Sequence, residues 1–320
     1  MDAENHLPIP HAVVTLPPRL RPGDTIGIAA PAGCFDRDAL DCGIACLSAM
    51  GFKTVVPESV FQKNGYLAGP DESRAAEINR LFADSRIDAV MCARGGFGSL
   101  RTLPFLDYDL IRRNPKIFIG FSDITAIIAA FFSRCGMTAF HGPTVLTLAE
   151  SDMKTREALR EAVSGRLPVE IAADRPRVVC AGTAAGRVIG GNLTTLCHLI
   201  GTGYFPDLSG KILLLEDRGE APYRIDRMLT QMKMAGCLDG LAGVLLGSFD
   251  DCGETEDIYG IFTAVFQDGG IPVLGGFPIG HGRRNVTVPI GVEAVLDADR
   301  LLLCFQRPAT AGPDSFGDGQ

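Results

Sequence analysis

From Asp24 onward, short apolar runs alternate with longer stretches in which apolar residues recur every three to four positions. That rhythm predicts parallel strands joined by helical crossovers, a doubly wound α/β domain. Strands are expected at Thr25–Ala30, Lys53–Pro57, Ala89–Ala93, Ile117–Phe121 and Thr138–His141. Helices are expected at Asp36–Met50, Asp71–Ser85, a broken stretch Ser99–Arg113, and Asp123–Arg134. The first domain is drawn over residues 20–165, closing with a helix near Thr155–Ser164.

Residues 166–185 mix Pro168, Pro176, charges and small side chains without periodicity, and are read as a linker. A second domain over 186–307 then shows strands near Ala185–Ile189, Lys211–Glu216 and Gly243–Phe249. A terminal ribbon follows at Val286–Pro289, Ala294–Leu296 and Leu301–Phe305, with Asp297–Arg300 as a hairpin turn. The Gly- and Pro-rich segment 308–320 is expected to be a disordered tail.

Composition narrows the function. A net charge of −8 without a basic block argues against nucleic acid as a partner. No apolar run approaches the roughly 20 residues of a membrane span, and the N-terminus has no signal-peptide pattern, which predicts a cytoplasmic protein. Ten cysteines lack any Cys-x-x-Cys pair and read as reduced core residues, neither a metal cage nor a disulfide framework.

Candidate chemistry gathers at predicted strand ends, where ligands bind in such sheets: Pro31–Gly33, Arg94–Gly98 and Gly120–Asp123. Ser122 stands between a buried strand and a helix, where a hydroxyl projects beside helix-terminal N–H groups. Gly120 precedes it by two residues, but Ile124 occupies the place of the second glycine of a Gly-x-Ser-x-Gly elbow. The same residues could simply cap a helix. The glycines of Arg94-Gly-Gly-Phe-Gly98 suit either a tight turn or a loop presenting N–H groups to an oxyanion.

A serine nucleophile needs a base. His6 and His11 lie in the leader, His198 falls in an apolar helical run expected to be core, and His141 ends a strand of the first domain. His281, held in Gly280-His-Gly282, has the loop setting of an aimed side chain. For the orienting carboxylate, Glu216 and Asp217 both end the apolar run from Lys211, and the pattern leaves the choice open.

The run from Arg94 through Gly120-Phe-Ser-Asp-Ile-Thr125 resembles the signature of the LD-carboxypeptidase family. Further similarity lies in Gly23-Asp-Thr25, His141-Gly-Pro143, Gly190-Gly-Asn-Leu193, Leu215-Glu-Asp217, Pro222–Leu229, Gly280-His-Gly282 and Pro289-Ile-Gly291, covering roughly residues 20 to 307. The resemblance implies a Rossmann-like N-terminal domain with a smaller, β-rich C-terminal domain, and a serine carboxypeptidase that releases terminal D-alanine from muropeptides. It maps the triad onto Ser122, Glu216 and His281, and the oxyanion N–H groups onto Gly96 and Asp123. It implies no metal or cofactor, and it implies a homodimer. Arg94 and Arg224 are candidates for the substrate carboxylate. Rival readings are an immunity-type peptidase acting on aminoacyl or peptidyl nucleotides, for which the lack of Trp is unfavourable, and a non-catalytic peptide-binding protein.

Overall fold

A computed structural model describes residues 14–166 and 169–312. The first sheet contains β1 (Thr25–Ala29), β2 (Lys53–Val55), β3 (Ala89–Cys92), β4 (Ile117–Gly120) and β5 (Ala139–His141). These five pair in parallel in the order β2, β1, β3, β4, β5; the inner strands β1, β3 and β4 are apolar and buried, whereas β2, at the edge, is exposed. The helices α1 (Arg37–Ala49), α2 (Asp71–Ala83), α3 (Ser99–Thr102), α4 (Tyr108–Arg113), α5 (Thr125–Ala130), α6 (Val145–Glu150) and α7 (Met153–Ser164) accompany this sheet. The strand order reverses between β1 and β3, opening the crevice in which ligands of such sheets bind.

The second sheet has eight strands. β6 (Val169–Ala172) and β7 (Arg177–Cys180) are its two edges, and β8 (Thr183–Asn192), β9 (Ile212–Arg218), β10 (Gly243–Asp250) and β11 (Val273–Gly275) form a parallel centre. The helices α8 (Leu193–Leu199), α9 (Pro222–Met234) and α10 (Thr255–Phe266) connect these strands. β12 (Val288–Ile290) leaves this unit and pairs antiparallel with β5, completing the first sheet. β13 (Glu293–Asp297) and β14 (Leu302–Phe305) form the hairpin of the second sheet, turning through Leu301 at positive φ.

Three expectations are corrected. Residues 166–185 are not a linker alone: they carry β6, β7 and the start of β8, and β6 and β7 went unseen because edge strands keep polar, half-exposed sequences. Val286–Pro289 does not join the terminal ribbon, since its strand extends the other sheet. Of the tail 308–320, Ala309, Thr310 and Ala311 are buried, and Ala311 N–H donates to the Pro17 carbonyl at 2.8 Å. The remainder of the tail from residue 313, and the leader with His6 and His11, lie outside the described residues.

The predicted helix from Asp123 is three segments: a 3-10 turn Ser122–Ile124, α5, and a π-helical turn Phe131–Cys135. Every residue of α5 is buried, because it packs against the first sheet on one side and against β8 and α8 of the second on the other. The two sheets thus share one contiguous apolar core. Among the described residues no helix is long and apolar enough to cross a membrane.

The cysteines are all unpaired, with only Cys92, Cys135, Cys197 and Cys252 buried. His198 is exposed on α8 and is not the core histidine its apolar surroundings suggested.

Candidate active site

Ser122 is the first residue of the 3-10 turn after β4 and has φ of +64°. Such a left-handed conformation is costly for a side-chain-bearing residue and is held by its surroundings. Gly120 makes the turn possible, because a Cβ there would lie 2.7 Å from the Ile124 side chain that folds back over it. The turn therefore needs one glycine, with Ile124 filling the space above it. Gly95 is equally constrained, since its Cβ would sit 3.0 Å from the Cβ of Ser122.

The loop Arg94–Gly98 passes beside the serine at the β1/β3 crevice. Gly96 and Gly98 adopt positive φ of +116° and +128°. Arg94 braces this loop from within, its Nη1 donating to the Cys34 carbonyl at 3.0 Å and its Nε to Gly95 at 3.2 Å. The Asp123 carboxylate is buried and accepts the Ser99 backbone N–H at 2.8 Å. Burial pushes that carboxyl's pKa up, against the opposing effect of the Ser99 bond.

Glu216, from β9 of the second sheet, and His281, from the loop between β11 and β12, line up with Ser122. His281 Nε2 lies 3.0 Å from Ser122 Oγ, and His281 Nδ1 lies 2.7 Å from Glu216 Oε2. Glu216 lies in the buried part of β9 and is inaccessible to solvent. Burial acts to raise its pKa, but His141 and His281 outweigh it and hold the carboxyl well below its ordinary range. For His281 burial opposes the imidazolium, yet the bond to Glu216 prevails and the pKa is raised. Proton acceptance from Ser122 through a carboxylate-steadied imidazole is the chemistry this line can perform.

Alternation along β9 turns Asp217 away from Glu216. Its carboxylate accepts Asn192 Nδ2 at 3.0 Å, Thr194 N–H at 2.9 Å and Thr194 Oγ1 at 2.8 Å, tying β9 to the start of α8. Asp217 is thereby committed to structure.

The His281 loop is fixed by two residues that sequence reasoning missed. Asn285 Oδ1 accepts the Gly280 N–H at 3.0 Å, and Ser248 Oγ accepts the Gly282 N–H at 3.1 Å. An asparagine a few residues beyond a predicted catalytic loop is the only signal that could have flagged the first. Phe121 packs against both imidazoles, with its ring centroid 4.8 Å from His281 and 6.0 Å from His141.

A cavity of 310 Å³ opens at His281, lined also by Phe121, Pro143, Thr147, Arg218 and Arg283. A larger one of 740 Å³ adjoins it, sharing Gly282 and Arg283, but its walls include none of Ser122, Glu216 and His281. The chemistry belongs to the smaller. Arg218 and Arg283 are the guanidiniums facing it, whereas Arg224 lies exposed on α9 against Glu220 and Tyr223. Among the described residues no group of three or more His, Cys, Asp and Glu side chains gathers as a metal site would require.

A serine, histidine and glutamate linked across two sheets on an α/β scaffold define a serine-type hydrolase. The chain belongs to the LD-carboxypeptidase family: the N-terminal domain of that family matches residues 26–142 and its C-terminal domain residues 185–296. A putative carboxypeptidase of Streptomyces coelicolor is 38% identical over 303 residues, 93% of this chain and 98% of the relative. A probable murein peptide carboxypeptidase of Bacillus subtilis is 36% identical over 88% of this chain and 91% of its own length. Among solved structures, microcin self-immunity protein MccF in complex with glutamyl sulfamoyl guanosine superposes with a TM-score of 0.86 at 28% identity, covering 92% of this chain and 99% of that one.

Proposed function

We propose that this chain is an LD-carboxypeptidase that releases terminal D-alanine from murein tetrapeptides, with Ser122 as nucleophile, His281 as general base and Glu216 as its orienting carboxylate. The observation that carries the reading is the continuous line from Ser122 Oγ through His281 to Glu216, with contacts of 3.0 and 2.7 Å. The murein peptide carboxypeptidase of Bacillus subtilis, similar over most of its length, supports the substrate class.

In this mechanism His281 takes the Ser122 proton as the hydroxyl attacks the scissile carbonyl. Glu216 fixes the Nδ1–H tautomer and balances the imidazolium that forms. The N–H groups of Gly96 and Asp123 hold the tetrahedral oxyanion, worth on the order of 3 kcal/mol per donor. His281 then gives its proton to the departing D-alanine amine, and water releases the acyl-enzyme. Arg218 or Arg283, at the cavity wall, replaces Arg94 and Arg224 as the group best placed for a substrate carboxylate. The reading includes a cytoplasmic homodimer acting on recycled wall peptides, which light scattering and fractionation would check.

A second reading, hydrolysis of an aminoacyl nucleotide, draws on the MccF likeness and on one local feature. Phe97, within the glycine loop, and Tyr66 are both exposed, with ring centroids 5.8 Å apart. Such a pair could stack a base. Incubation with L-Ala-γ-D-Glu-diaminopimelate-D-Ala and, separately, with an aminoacyl adenylate analogue decides between them. Release of D-alanine by the native protein but not by Ser122→Ala supports the first reading; turnover of the nucleotide conjugate alone overturns it.

A further inference from the structure

Behind the triad lies a second histidine for which the mechanism above has no use. His141 ends β5 beside Gly120 of β4, is inaccessible to solvent, and has no hydrogen-bond partner on either ring nitrogen among the described residues. Glu216 has the complementary deficit: Oε2 is bonded to His281, while Oε1 is buried and unpartnered. His141 Nε2 and Glu216 Oε1 face each other at 3.8 Å. That separation is too long for a hydrogen bond, yet too short for a water to sit in line between them.

Two buried, unsatisfied polar groups are each costly alone, and here they are neighbours. A shift of less than 1 Å would satisfy both, and catalytic hydrogen bonds in unliganded sites are commonly long and tighten in the reacting complex. The surroundings confine the imidazole. Phe121 packs edge-on to it, and Gly191 leaves the space it occupies, since a Cβ there would lie 3.2 Å from His141 Cδ2.

We propose that His141 is a positioning residue for the triad: its Nε2–H donates to Glu216 Oε1, so that the carboxylate is gripped from both sides and its Oε2 stays aimed at His281. The inference rests on the triad reading given under Proposed function. It makes the carboxylate a bridge between two imidazoles, one from each sheet-forming unit, with only His281 reaching the reacting atoms. His141 therefore governs turnover and leaves substrate binding alone.

Nitrogen-15 NMR of the histidine side chains in the native protein tests this without any substrate, so its outcome is separable from the reaction assigned above. A proton on His141 Nε2 is expected; a bare Nε2 overturns the proposal. With the tetrapeptide, His141→Leu should lower kcat about 10- to 100-fold with KM within about twofold, the scale of losses for outer groups that orient a site. His141→Gln, which restores an N–H donor, should recover most of that loss. Native kcat in a folded His141→Leu, or equal losses in both variants, would show a packing role and overturn it. Should His141→Leu fail to fold, the NMR result decides alone.

Discussion

The Asp123 carboxylate receives the backbone N–H of Ser99 at 2.8 Å, tying the turn that carries Ser122 to the end of the glycine loop. The two segments that supply the proposed oxyanion N–H groups are therefore joined by a side chain. Both partners are buried, so the bond is not in competition with solvent. Removing it in Asp123→Ala leaves Ser99 N–H unpaired and should cost about 2 kcal/mol of stability. Turnover should fall by at least about tenfold through misplacement of the donors. Asp123→Asn retains an acceptor oxygen and should remain close to native in both. Urea denaturation and the rate of Ser122 labelling by a fluorophosphonate check the pair of outcomes.

Ser122 carries its side chain at φ +64°, a conformation glycine adopts freely. In a helix or strand, Ala→Gly would lose about 0.5–1 kcal/mol. At this position the sign should vanish or invert: Ser122→Gly should be at least as stable as Ser122→Ala, by up to about 1 kcal/mol. Both variants should be inactive. Chemical denaturation of the two side by side gives the sign, and a clear advantage for Ala would refute a strained elbow.

The strands of the first sheet were legible because burial on both faces leaves short apolar runs bounded by glycine and proline, as at Ile117–Gly120. The corner at Ser122 could be read from the same boundary. The edges were not legible: β6 and β7 keep charged, half-exposed residues, and β12 is assigned to its sheet only by long-range pairing with β5, Val288 opposite His141. Periodicity likewise could not separate Glu216 from Asp217. Partners do so, since Asp217 is consumed by Asn192 and Thr194 while Glu216 faces His281. The Asp123 carboxylate was invisible as a contributor because it acts on the backbone amide of Ser99, 24 residues earlier, which only the fold brings near, whereas Asn285 acts on an amide five residues away and left only its place beyond the loop as a signal.

Glu216 and His281 set a pH dependence whose direction follows from their shifts. The His281 pKa is raised, so its contribution to stability is fully present below the unfolded value of about 6.5 and is lost as pH rises through the folded value. The Glu216 pKa is lowered, so its contribution is present above about 4.3 and is lost as pH falls through the folded value. The pair stabilises the fold most between those two unfolded values. Activity follows a different rule, because the base must be unprotonated. The acidic limb of kcat/KM should lie above pH ~6.5. Glu216→Gln should move that limb down and lower kcat by roughly 10³- to 10⁴-fold, the scale seen when a triad carboxylate is neutralised. A pH-rate profile of both proteins measures this, and an unmoved limb would detach Glu216 from the base.

Gly280 offers the sharpest geometric test of the site. Its φ is +109°, and a Cβ there would lie 2.4 Å from Glu216 Oε2, the oxygen bonded to His281. Its N–H is held by Asn285 Oδ1, so the backbone has little freedom to retreat. Gly280→Ala must therefore displace the Glu216 carboxylate, the loop, or both. A displacement near 1 Å is enough to cost about 10²-fold in turnover. The loss should fall on kcat, because no substrate contact is removed. Asn285→Ala should relax the loop without intruding on Glu216, giving a smaller loss in kcat and about 1–2 kcal/mol lower stability. Steady-state kinetics on both variants checks the order. If Gly280→Ala were the milder of the two, the carboxylate would have room that this packing denies it.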